Sequence, residues 1–107
     1  MGFFDLFRNN NISKEIKAYL EKGAVVIDVR TIEEWNAGHV KGSTHIVMHL
    51  IPLKIAEIKA LEKPIITVCR SGARSGQVAR LLSKEGIDAL NGGPWQEVAK
   101  LTIIRNN

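Results

Sequence analysis

Val68-Cys69-Arg70-Ser71-Gly72-Ala73-Arg74-Ser75 joins a run with the character of a buried strand to one with the periodicity of an amphipathic helix. Upstream, Ile65-Ile66-Thr67-Val68 is apolar and β-branched and follows Lys63-Pro64, the pattern of a strand covered on both faces. Downstream, Val78, Leu81 and Leu82 fall at i, i+3 and i+4 until Gly86, which predicts a helix beginning near Ser75. The chain's single cysteine therefore lies where loop N–H groups converge. Unpaired donors at a helix start, its partial positive charge, and the guanidinium groups of Arg70 and Arg74 all favour the thiolate. Lowering a thiol from its free value near about 8.5 by about two units requires ~2.7 kcal/mol, within reach of a helix terminus plus one guanidinium. The competing reading is a small buried hydrophobe, which explains neither arginine nor the glycine beside it.

At 107 residues the chain is expected to form one domain with one sheet and covering helices. Its 45% hydrophobic and 24% charged content is that of an ordinary globular protein, and no internal repeat or low-complexity tract stands out. A net charge of +4, with basic residues scattered and not interleaved with aromatics, suits a small anionic substrate and argues against a dedicated nucleic-acid surface. One cysteine forms no internal disulfide and fits a reducing compartment, so a cytoplasmic location is expected. Asp5 interrupts the opening Phe3-Phe4-Asp5-Leu6-Phe7, which has neither the apolar length nor the cleavage site of a signal peptide. Those aromatic residues are expected to pack on the domain or fray, and no run is long enough to span a bilayer.

In chain order, Ser13 is placed to cap a helix in which Ile16, Tyr19 and Leu20 share a face, with Gly23 after its last turn. Ala24-Val25-Val26-Ile27-Asp28-Val29 is a second buried strand ending in an acidic residue. Thr31-Ile32-Glu33-Glu34 has capping-box spacing for a short helix anchored by Trp35 and ended near Gly38. Thr44-His45-Ile46-Val47 reads as a short strand, and Pro52 stands near the start of a helix carrying Ile51, Ile55, Ile58 and Leu61. Ile87 to Asn91 is a further strand, Gly92-Gly93 a close backbone approach, and Pro94 the first residue of a last helix with Trp95, Val98 and Leu101. Thr102 to Arg105 is ambiguous. Strands alternating with helices imply a parallel sheet covered on both faces. Ligands bind at the carboxyl edge of such sheets, which gathers Asp28 to Arg30, Cys69 to Arg74 and Asn91 to Trp95 around one site.

Asp28-Val29-Arg30, Glu34-Trp35, Gly38-His39-Val40, Gly42-Ser43 and Ile46, followed by Cys69 to Ser75 and Gly92-Gly93-Pro94-Trp95, resemble the signature of the single-domain rhodaneses, a sulfurtransferase family. The likeness spans residues 12–101, leaving 1–11 as an N-terminal extension and 102–107 as a tail. It implies an α/β fold, a three-layer α/β/α domain with a central, mostly parallel five-stranded sheet. It also implies a persulfide on Cys69, filled from a donor such as thiosulfate and emptied to cyanide or a thiol. The chain departs from the family where Asn-Ile-Pro commonly follows the Gly-Ser pair: here His45-Ile46-Val47 is followed by Met48-His49.

On this resemblance Cys69 is the nucleophile, and attack on sulfur indeed needs a thiolate. Arg70, Ser71, Gly72, Ala73, Arg74 and Ser75 form the anion cradle, with Arg74 meeting the anion, Arg70 at the rim, and Ser71 and Ser75 either donating hydroxyls or capping the helix. Asp28 and Arg30 organise the loops, with Gly93 and Trp95 in support. His39 is expected to hold structure through hydrogen bonds. His45 and His49, four apart in an extended segment, stand roughly 13 Å from each other, too far to share an ion, so neither metal nor cofactor is expected. The expected partners are a small anionic sulfur donor and a thiol or cyanide acceptor, with a protein acceptor also open, acting on a monomer. Two alternatives stand beside the enzyme: a sulfur carrier or adaptor for a protein partner, and a phosphatase or arsenate reductase of the related fold.

Overall fold

The computed structural model describes residues 10–106, so the Phe3 to Phe7 stretch lies outside the described residues. The order is α1 (Asn10–Glu21), β1 (Val25–Asp28), α2 (Ile32–Ala37), β2 (Thr44–His45), a single 3₁₀ turn (Met48–Leu50), α3 (Ile51–Ala60), β3 (Ile65–Cys69), α4 (Ala73–Lys84), β4 (Ala89–Pro94) and α5 (Trp95–Asn106). The strands form one sheet in the order β2-β1-β3-β4, all neighbours parallel. The sheet has four strands among the described residues where five were expected. The sequence itself offers four strand-like runs, and the described chain ahead of β1 is helical.

Every residue of β3 is buried, and its alternation divides the core in two. Ile65 and Cys69 join Ile27, Val29, Ile51, Ile58, Val78, Leu82 and Ile87 under α3 and α4. Ile66 and Val68 join Ile16, Leu20, Val26, Val40 and Val98 under α1 and α5. Apolar residues at successive strand positions thus serve both faces, which produces the three-layer α/β/α domain.

Several boundaries differ from their sequence expectation for local reasons. Helix α1 starts at Asn10, ahead of Ser13, and α4 starts at Ala73 because Gly72, in the left-handed region at φ 102°, turns the chain straight from loop into helix. Strand β2 keeps only Thr44 and His45, although Ile46 and Met48 still donate to the Asp28 and Val29 carbonyls. Strand β4 begins later and runs through Gly92, Gly93 and Pro94, with a register shift opposite Thr67 and Cys69. Gly92 makes this continuation possible: a Cβ there would stand 2.6 Å from Ile66 Cγ2 and 3.0 Å from the Thr67 carbonyl oxygen. Pro94 ends the strand, at a sheet edge where its missing N–H costs nothing, and does not open the helix. Residues 102–106 continue α5.

Candidate active site

Chain direction across the sheet reverses between β1 and β3, since β2 lies on one side of β1 and β3 on the other. Asp28 closes β1, Cys69 closes β3, and Gly93 and Pro94 close β4, so the three loops grouped by sequence meet at one carboxyl edge. A cleft of about 260 Å³ at this edge is lined by Arg30, Glu34, Gly38, Arg70, Trp95 and Gln96. A wider one of about 520 Å³ lies at the opposite end of the sheet, beside Val25, Lys41 and Lys63, away from Cys69.

Cys69 is fully buried. Its Sγ accepts from Gly72 N–H at 3.0 Å, Ser75 N–H at 3.4 Å and the Ser75 hydroxyl at 3.3 Å. Burial pushes the thiol up, but hydrogen bonds from the Ser75 hydroxyl and from the N–H groups of Ser75, Gly72 and Ser71 outweigh it and hold the thiol below its ordinary value. The converging loop donors expected from the sequence do this work, with the Ser75 hydroxyl foremost among them. Gly72 earns its place by conformation: its left-handed backbone aims its N–H at the sulfur while starting α4.

Arg74, expected to meet the anion, is instead bound to α2. Its Nη1 and Nη2 donate to Glu34 Oε1 and Oε2 at 2.8 and 3.0 Å. The Arg74 hydrogen bond, helped by the Thr31 N–H, holds the Glu34 carboxyl down to about 2, and Glu34 in turn raises Arg74. The capping box read from Thr31 and Glu34 is present as well, so one carboxylate caps α2 and ties it to the cysteine loop. Arg70 is exposed at the cleft and, among the described residues, has no hydrogen-bond or ion-pair partner. Ser71 and Ala73 are exposed, whereas Ser75 is fully buried.

Asp28 and Arg30 form a buried pair beneath the loops. Arg30 Nε donates to both carboxylate oxygens at 2.9 and 3.1 Å, Nη2 to Oδ2 at 2.7 Å, and the Arg30 N–H to Oδ1 at 3.0 Å. Nη2 also donates to the Gly38 carbonyl at 2.6 Å, and the guanidinium lies 5.0 Å from the Trp95 ring centre. One charged pair thereby fixes the ends of β1, α2 and α5. His39 shares hydrogen bonding with the Trp35 carbonyl at 2.8 Å and stacks on that residue's ring at 3.5 Å. His45 stacks on the same Trp35 at 4.8 Å and donates through Nε2 to the Arg30 carbonyl at 2.7 Å, so the departure from the family pattern builds the wall behind Arg30. Among the described residues no three His, Cys, Asp or Glu side chains are grouped to hold a metal.

The sequence places Asn91 in an edge loop but gives it no role of its own. Its side chain meets Ser75, Gly72 and Gly93. The signals were that grouping and its position as a polar residue immediately before Gly92-Gly93.

Comparison with known proteins agrees with this geometry. The model of the rhodanese-like domain matches residues 13–97. A sulfurtransferase of Allochromatium vinosum is 36% identical over 62 residues, 58% of this chain and 57% of that one, so this match spans little more than half of the relative. The thiosulfate sulfurtransferase GlpE of Pseudomonas aeruginosa is 31% identical over 90 residues, 79% of this chain and 81% of that one. A rhodanese-like domain protein from Staphylococcus aureus superposes with a TM-score of 0.68 at 30% identity, covering 81% of this chain and 86% of that one. With a parallel α/β sheet, a cysteine cradled at its carboxyl edge and a family match across most of its length, the chain belongs to the rhodanese-like domain family and is a rhodanese-type sulfurtransferase.

Proposed function

We propose that the chain moves a sulfane sulfur from thiosulfate or a similar small anionic donor to cyanide or a thiol, through a persulfide on Cys69. The observation that carries this reading is the set of donors around Sγ, which favour an ionised sulfur in a site free of bulk water. The Cys69 thiolate attacks the outer sulfur of thiosulfate, a new S–S bond forms, and sulfite leaves with the electron pair of the broken bond. An acceptor anion then attacks the terminal sulfur, and the Cys69 thiolate departs, ready for the next cycle. No proton abstraction is needed once the thiol has ionised, so no general base is assigned.

Arg70 supplies the charge that draws the donor anion, because its guanidinium is unpaired at the cleft. Arg74 serves through Glu34 as a tie between α2 and the loop. Asp28, Arg30, Gly93 and Trp95 hold the surrounding walls. Cys69 has no exposed surface, so the loop of Arg70, Ser71 and Gly72 must part to admit the donor. The cycle needs no metal or cofactor and one copy of the chain. A thiolate that must stay reduced suits the cytoplasm, and a protein thiol is among the acceptors the exposed rim leaves open.

The test is thiosulfate:cyanide sulfur transfer by the native chain and by Cys69→Ser, with p-nitrophenyl phosphate hydrolysis and arsenate reduction measured on the same preparation. Four residues, Arg70-Ser71-Gly72-Ala73, separate cysteine from arginine, a shorter loop than the related phosphatase pattern needs to surround a phosphoryl group. Sulfur transfer that vanishes with the serine variant, with negligible turnover of the other two substrates, is the expected result. Phosphatase or arsenate turnover that depends on Cys69 and exceeds sulfur transfer would overturn it.

A further inference from the structure

The orientation of the Asn91 amide follows from its partners. Gly93 N–H only donates, so the Asn91 atom it meets at 2.9 Å is the oxygen; the Gly72 carbonyl only accepts, so the atom facing it at 3.0 Å is the nitrogen. That oxygen lies 2.7 Å from Ser75 Oγ and, carrying no proton, accepts from the Ser75 hydroxyl. Ser75 Oγ also stands 3.3 Å from Cys69 Sγ. A hydroxyl has one proton to give, so the two acceptors compete for it.

Two arrangements satisfy every group. While the sulfur is a thiol, S–H donates to Ser75 Oγ and the hydroxyl proton goes to Asn91. When the sulfur ionises it only accepts, the hydroxyl proton turns to it, and the Asn91 oxygen keeps the Gly93 N–H. Packing supports a close seat for the amide: a Cβ at Gly76 would stand 3.0 Å from Asn91 Nδ2, so α4 is open at this point for the side chain.

We infer that Asn91 is a positioning residue that competes with Cys69 for the Ser75 hydroxyl proton and so sets how readily the thiol ionises. The inference rests on the reading of Cys69 as the sulfur carrier, for which the thiolate is the attacking form. It extends that cycle. During attack the hydroxyl faces the thiolate. Once the sulfane sulfur is attached, Sγ is a neutral bridging atom and the proton turns back to Asn91. Discharge restores the thiolate and draws it over again, with no proton entering or leaving the site.

The experiment is the pH dependence of iodoacetamide alkylation of the full chain, for the native protein, Ser75→Ala, Asn91→Leu and the double variant. Asn91→Ala serves as a second substitution that removes the same polar atoms without bulk, and thermal unfolding establishes that each variant is folded. Ser75→Ala raises the midpoint, since the thiolate loses a donor. Substitution of Asn91 shifts the midpoint downward by about half a pH unit more when Ser75 is present than when it is alanine, the scale of part of one hydrogen bond. An Asn91 effect of equal size in both backgrounds, or no effect in either, would overturn the inference and leave Asn91 a structural tie to Gly72. Intact mass after thiosulfate treatment of the same samples separates the two claims. Failure to take up sulfur with the coupling intact counts against sulfur transfer; uptake without coupling counts against the role of Asn91.

Discussion

Replacing Asp28 by alanine tests whether the charged pair beneath the loops is as interdependent as its geometry implies. Asp28 is fully buried and Arg30 is 4% exposed, and the carboxylate receives the Arg30 Nε, Nη2 and backbone N–H. Removing it strands a guanidinium away from water, a change that costs about 3–5 kcal/mol. At roughly 4–8 °C per kcal/mol for a domain near this size, the unfolding midpoint falls by about 12 °C or more. The double variant Asp28→Leu with Arg30→Met removes both charges and recovers most of that loss, because a buried ion pair exchanged for apolar side chains is often close to neutral. Recovery is incomplete, since the Arg30 N–H loses its acceptor and Gly38 its donor. Calorimetric unfolding of the native chain, Asp28→Leu, Arg30→Met and the double variant yields the coupling, with Asp28→Ala measured beside them. A cost below about 1 kcal/mol for Asp28→Ala, or a double variant no more stable than the single one, would refute the reasoning.

Gly92→Ala forces Ile66, Val98 or the Thr67 backbone to shift and costs roughly 1–3 kcal/mol, read from the urea midpoint. The folded Glu34 carboxyl titrates at about 2, below its unfolded value near ~4.3, so the contribution of its pair with Arg74 is fully present above the unfolded value and is lost as pH falls toward 2. Both partners are part exposed, so the loss stays under about 1 kcal/mol; an acid titration of stability should show it in the native chain and not in Glu34→Gln. Arg70→Ala raises KM for thiosulfate about tenfold with kcat little changed, the scale of one charge-assisted hydrogen bond of ~1.5 kcal/mol. Arg74→Ala chiefly lowers stability, and steady-state kinetics showing the reverse order of effects would return the anion to Arg74.

What the sequence made legible was set by short-range pattern. The β-branched runs at Val25 to Asp28 and Ile65 to Cys69, the capping box at Thr31 and the cysteine at a strand-to-helix junction all declare themselves within a few residues. The rest depends on contacts across the fold. Whether β4 continues through Gly92 is decided by Ile66 and Val98, which lie on other elements. Glu34 already had a local role as a helix cap, so nothing nearby signalled a second partner forty positions away in Arg74. The same pairing hid which arginine stays free, and it is the Ser75 hydroxyl and the loop N–H groups that lower the thiol. The fifth strand came from the resemblance and from no run of residues in this chain. His45 showed only as a departure from a pattern, and its stacking on Trp35 and bond to the Arg30 carbonyl depend on β2 lying beside β1.

The central claim is that Cys69 itself carries the sulfur, and intact-mass spectrometry tests it most directly. After thiosulfate treatment and desalting, the native chain should gain the mass of one sulfur atom, localised to the peptide bearing Cys69, and lose it on addition of cyanide, with Cys69→Ser unchanged throughout. A native chain that turns over thiosulfate without gaining mass, or a serine variant that gains it, would contradict the account.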